Sequence, residues 1–155
     1  MNLQTDHPDV VIFPPLIPAS VLIVMLLLHW FWPLQIAMSR VAFALGAILC
    51  VLGIGCVAWG RLTLVKARTN VSPLRPTTAL VTDGPFRFTR NPLYVGGSAL
   101  LLGVSFLMGT WWGVILLLPA MFVLHYGVIL REEDYLEQKF GDSYVSFKRS
   151  VRRYL

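Results

Sequence analysis

Two long stretches of this chain carry no charge. Val41–Trp59 runs for 19 residues without an ionised side chain, and Trp111–Leu130 for 20 with His125 and a tyrosine as its only titratable groups. A helix needs about 20 apolar residues to cross the hydrocarbon of a bilayer, with a range of about 17 to 25. Backbone at that depth must satisfy its own hydrogen bonds, so such stretches become helices. Phe13–Pro33 is apolar over a similar length, whereas Leu93–Met108 is shorter and needs its flanks or a protein-lined setting to cross. Composition agrees: 56% of residues are hydrophobic and 14% charged, against roughly 25% charged in an average soluble domain. The expectation is an all-α integral membrane protein of about four transmembrane helices, with a C-terminal helical hairpin and short interfacial amphipathic helices. It forms a single membrane domain over 1–155: a helix pair (13–59), a cytoplasmic loop (60–92), the hairpin (93–130) and a tail (131–155).

Basic residues set the orientation. Arg61, Lys66, Arg68, Arg75, Arg87 and Arg90 lie between the second and third apolar segments, and Arg131, Lys139, Lys148, Arg149, Arg152 and Arg153 follow the fourth. The turn between the first two holds Arg40 alone. By the positive-inside rule the loop and tail are cytoplasmic, and an even number of crossings places the N-terminus there too. The net charge of +5 is then topology plus attraction to anionic headgroups, and nucleic acid is not an expected partner. Residues 1–12 lack Lys and Arg and no small-residue cleavage site follows the first segment, so it is expected to stay as a spanning helix. Cys50 and Cys56 stand six residues apart on one helix, roughly 9 Å along its axis, too far for a disulfide.

Against this oily background, Leu80–Gly97 (LVTDGPFRFTRNPLYVGG) is conspicuous. It packs two arginines, an aspartate, two prolines and three glycines between apolar runs. Ionisable groups at that depth are too costly to keep without a use. Asp83-Gly84-Pro85 signals a turn, and Pro92 suits the first turn of a helix. Pro73 and Pro76 favour extended or turn geometry around Leu74 and Arg75. Gly109-Thr110 joins the last two apolar segments, so their outer ends return to one side and bring Arg131, Glu132 and Glu133 level with Arg90 and Tyr94. Adjacent carboxylates do not share a helix face, so one of the pair is expected to enter a site and the other to face solvent or an arginine. Ala42, Gly46, Cys50, Gly53 and Gly60 form a small-residue stripe suited to close helix packing. Gly96 and Gly97 suit either such packing or a ligand surface. In the tail, Tyr135, Leu136 and Phe140, then Tyr144, Phe147 and Val151, form apolar stripes on either side of Gly141, with Lys148, Arg149, Arg152 and Arg153 toward headgroups.

The run LVTDGPFRFTRNPLYVGG, followed about 35 residues later by EEDYLEQKFGDSY and the basic ending VRRYL, resembles the isoprenylcysteine carboxyl methyltransferase and phospholipid methyltransferase family of integral membrane enzymes. The resemblance covers about Asn70 to Leu155. It implies S-adenosylmethionine bound by the hairpin and tail, and a lipophilic small-molecule, lipid or prenylated acceptor. Leu80, Val81, Gly84 and Pro85 match the loop that shapes the cofactor pocket. Arg90, Pro92 and Tyr94 match the Arg-His-Pro-x-Tyr motif, with Gly96 after it, and Glu132 and Glu133 match the paired glutamates. Asn91 departs from the motif's histidine; it keeps hydrogen bonding but does not titrate near neutral pH.

Methyl transfer from a sulfonium needs alignment more than acid–base groups, and a near-attack geometry supplies up to about 7–11 kcal/mol. For a carboxylate acceptor, Arg90 and Arg131 are the candidate positioning groups. For an amine, Glu133 or His125 would take the proton, and His125 shares a helix face with Glu132. The alternatives are an NADPH-dependent sterol or enoyl reductase, whose similar motif generally has glutamate where this chain has Gly97, and a non-catalytic module of the same fold.

Overall fold

The computed structural model describes residues 7–37, 39–72 and 74–154. The expected turn role of Pro73, and most of the lead before Pro8, lie outside the described residues. Among those residues, regular structure is helical apart from one isolated antiparallel bridge between Gln35 and Thr110. The helices are α1 (Leu16–Phe31), α2 (Arg40–Lys66), α3 (Pro92–Leu107), α4 (Trp112–Leu124), α5 (Leu130–Phe140) and α6 (Asp142–Ser150), with a 3-10 turn at Gly84–Arg87 and a π-helical turn at His125–Ile129.

The two uncharged runs become the two longest rods. Ser39 caps α2 by accepting from Ala42 N (3.0 Å), and the helix continues seven residues past Trp59 to Lys66. The fourth apolar segment continues through the π-turn into α5, so Trp112–Phe140 is one 29-residue rod. These two are long and apolar enough to cross a membrane. By contrast α1 and α3 have 16 residues each, or about 24 Å of rise. α1 is shorter than the apolar run Phe13–Pro33: it starts at Leu16, after Pro14 and Pro15, and ends at Phe31, before Trp32 and Pro33.

The expected helix pair over 13–59 is not a packed unit. α2 lies along α3, whereas α1 lies along α4 and, to a lesser extent, α3. The α2–α3 contact is built from glycine at seven-residue spacing. Gly46, Gly53 and Gly60 are the buried residues of α2, and they meet Gly103, Gly96 and Leu93 in antiparallel order. A Cβ on Gly53 would stand 2.7 Å from Gly96 O, and one on Gly103 would stand 2.7 Å from Cys50 N. The backbones therefore touch, and the seven-residue repeat keeps the glycines on one face of α2. Gly96 is thus a packing residue, while Gly97 has open space around its Cα.

The opposite faces are apolar and bare. Val41 is 76% exposed, Val51 70%, Leu118 73% and Phe122 65%, and continuous apolar surface of this kind marks contact with lipid or protein. At one end, the α1–α2 connection clasps the α3–α4 turn: Ile36 N donates to Gly109 O (2.8 Å), Trp111 N to Leu34 O (2.9 Å) and Trp112 Nε1 to Trp32 O (2.6 Å). The polar loop, α5, α6 and the tail gather at the other end. Gly141, at φ +54°, makes the break between α5 and α6 that an L side chain rarely tolerates.

Candidate functional site

The loop after α2 is held by its own side chains. Thr69 Oγ1 accepts from Thr78 N (3.0 Å), Asn70 Nδ2 donates to Pro76 O (2.7 Å), and Thr77 N donates to Tyr135 Oη (3.1 Å) on α5. The 3-10 turn then drives Phe86 into an aromatic cluster with Tyr144 and Phe147 of α6. Beyond it, Thr89–Asn91 is laced to the extended tail that follows Ser150. Arg90 N donates to Arg152 O (2.9 Å), and Arg153 O accepts from both Thr89 Oγ1 and Asn91 Nδ2 (3.0 Å each). Asn91 thus spends its amide on the tail backbone, and Pro92 opens α3 with no amide to satisfy.

The two corners named from the sequence meet. Tyr94 Oη donates to Glu132 Oε1 at 2.7 Å. Glu133, 4% exposed, receives Arg153 through two parallel bonds, Nε to Oε1 at 2.8 Å and Nη2 to Oε2 at 2.9 Å. Arg90 Nη1 lies 3.0 Å from Glu133 Oε1, off the alignment of a hydrogen bond, and neither it nor the buried Nε has a hydrogen-bond acceptor among the described residues. The adjacent carboxylates take different partners, one a tyrosine and the other two arginines, yet both line the same cavity rather than one alone entering it. Two guanidiniums on one carboxylate leave an excess positive charge at Arg90. Burial first, and then the Glu133 charge, push the nearby Tyr144 phenol up to about 12, with Arg90 and Arg153 pulling the other way.

These groups line one cavity of about 140 Å³. Leu80, Val81, Arg90, Asn91, Tyr94, Glu132 and Glu133, all expected near a cofactor, lie in its wall, with Leu64, Phe86, Leu136 and Phe147 supplying apolar surface. Gly84, Pro85, Gly96, His125 and Arg131 do not. Gly84 faces Thr63 and Trp59, Pro85 is buried in the 3-10 turn, and His125 Nδ1 shares a 2.7 Å hydrogen bond with Tyr154 Oη. Arg131 turns outward, its Nη1 donating to Asp9 O at 2.9 Å. Arg153, placed toward headgroups from sequence, is the principal partner of Glu133. The chain becomes extended after Ser150, so successive residues point to opposite sides and only one of the last two arginines faces inward. Thr89, Tyr135 and Pro8 were also not foreseen; their contributions run through backbone atoms or long-range contacts that leave no local pattern.

Residues 41–143 match the sequence model of the phospholipid methyltransferase family. Over 72 residues the chain is 36% identical to the Protein-S-isoprenylcysteine O-methyltransferase of Schizosaccharomyces pombe, an alignment covering 46% of this chain and 30% of that protein. Over 66 residues it is 39% identical to an uncharacterized protein of Haemophilus influenzae, covering 41% of this chain and 100% of that one. The match thus spans less than a third of the yeast enzyme's length. No solved structure matches the chain.

Proposed function

Since the chain belongs to the phospholipid methyltransferase family, we propose that it is an S-adenosylmethionine-dependent methyltransferase acting on a lipophilic acceptor at the cytoplasmic face of a membrane. The observation that carries this reading is the pair of buried Arg90 donors without acceptors, in the wall of a cavity that also holds the Glu132 carboxylate. Buried guanidinium donors call for an anion, and a carboxylate in the same cavity calls for a cation. An amino-acid end with its carboxylate on Arg90 and its ammonium on Glu132 answers both, and Leu64, Leu80, Val81 and Leu136 offer apolar surface to an uncharged ring system. When bound, S-adenosylmethionine supplies an electrophilic methyl group on a sulfonium.

The protein's own part is placement and exclusion of water. Glu133 is paired to both Arg90 and Arg153 and holds them in place. Tyr94 orients Glu132. An acceptor that is already an anion needs no proton removed, and the name of the yeast relative, an O-methyltransferase of isoprenylcysteine, favours a carboxylate oxygen on a prenylated or comparably lipophilic molecule. Arg131, facing away from the cavity, is set aside as the group that positions it. We place four crossings in the bilayer: α1 and α3 cross beside the longer Trp112–Phe140 rod and α2, and the arginine-rich site end is cytoplasmic, with both chain ends on that side.

The test is thermal unfolding of the detergent-solubilised protein with S-adenosylhomocysteine or NADPH. Stabilisation by the first alone supports the proposal; stabilisation by NADPH alone points to the reductase reading, and by neither to a module without this chemistry. Labelling native membranes with radioactive methyl donor, then separating lipid from protein, identifies the acceptor class.

A further inference from the structure

One residue in the cavity wall comes from neither corner. Pro8 is buried and lines the cavity, and the four residues after it run along the α4–α5 rod, each fastened. Arg131 Nη1 donates to Asp9 O at 2.9 Å and lies 3.7 Å from its carboxylate. Val11 N donates to Gly127 O at 3.1 Å. Val10 and Ile12 pack on the core of Ile17, Leu124, Val128 and Ile129. Gly127 belongs to the π-turn, and a Cβ there would meet Val11 Cβ at 3.9 Å, so the rod is bare where the segment crosses it. Departures from α-helical winding of this kind gather at functional positions. The segment precedes residue 41, where the family match begins.

We propose that Pro8–Ile12 is a strap closing one wall of the cavity, and that Arg131 is a positioning residue that fastens it. The strap sets how readily water and ligands reach the Tyr94–Glu132 pair. Closed sites exclude water and often release their ligands only when a covering segment lifts. The assignment rests on reading this cavity as the S-adenosylmethionine site, so its test needs one readout that does not.

Two rates are measured on the full chain in detergent: dissociation of S-adenosylhomocysteine, and maleimide labelling of Leu136→Cys in a Cys50→Ala, Cys56→Ala background. Arg131→Ala removes the fastening side chain and Val11→Pro removes the donor to Gly127 O. Both fastenings are at the surface, so each variant is expected to raise both rates about three- to tenfold, with Arg131→Lys intermediate and melting temperatures nearly unchanged. Equal labelling rates in the parent and both variants would overturn the strap. If the parent protein binds no S-adenosylhomocysteine, the proposed function fails and the labelling rates alone decide the strap. If binding is intact but neither rate moves, the strap fails and the function stands.

Discussion

Glu133 is where the site's electrostatics can be weighed. Glu133→Gln keeps the volume of the side chain, removes its charge, and turns one acceptor oxygen into an amide that confronts guanidinium donors. Three contacts of 2.8–3.0 Å are affected. Glu133 and Arg90 side chains are 5% and 8% exposed, whereas Arg153 is 30% exposed. Removing one partner of a buried ion pair costs about 3–5 kcal/mol; water can reach Arg153, which places this case near the lower end, about 3 kcal/mol. At about 2–4 °C per kcal/mol for a chain of this size, the melting temperature should fall by roughly 6–12 °C. The control is Glu137→Gln. Its partner Lys148 is equally close at 2.9 Å, but the two side chains are 43% and 37% exposed, and such pairs contribute under about 1 kcal/mol. Unfolding followed by tryptophan fluorescence in one detergent compares the two. Equal shifts would refute the argument, because burial and the number of charged contacts, the two differences between the sites, would then have no consequence.

Gly53→Ala pushes a methyl group against Gly96 O and should destabilise by about 1–3 kcal/mol, while Gly55→Ala, with nothing within 4 Å of the new atom, should be neutral or better in the same melt. Tyr94→Phe withdraws the hydroxyl from Glu132 and is expected to weaken S-adenosylhomocysteine binding about tenfold by calorimetry, with an unchanged affinity counting against a ligand role for the pair. Asn91→Ala frees Arg153 O of one of its donors; limited proteolysis should then cut the tail several-fold faster, and an unaltered digestion rate would show that Asn91 does not secure it.

The parts of the fold written in side-chain hydrophobicity were legible: α2, the α4 segment, the polar loop between membrane helices, and the hairpin that brings Arg90–Tyr94 and Glu132–Glu133 together. Pro92 and Gly141 marked their boundaries because each restricts the backbone locally. The small-residue stripe on α2 was visible, but its partner was not, since a glycine says that something comes close without saying what. The π-turn carries no signature in the spacing of HYGVI. Arg131 and Arg153 were exchanged in role, one turned outward to Asp9 and the other inward to Glu133, because an arginine's reach exceeds what neighbouring residues specify. Asn91, read as a residue that keeps hydrogen bonding after losing a titratable ring, directs its amide to Arg153 O, a main-chain contact 62 residues away.

The clasp between residues 32–36 and 109–112 lies at the far end of α3 from Tyr94, about 24 Å away. The interlocked backbones of α2 and α3 form one limb of the fold, and α1 with the long rod forms the other. Those limbs are joined at the base as well, where Tyr94 bonds Glu132, Arg90 pairs with Glu133 and Thr89–Asn91 is laced to the tail. The site therefore sits in a frame closed at both ends, so its spacing is held from the far tip of α3 as well as by its own bonds.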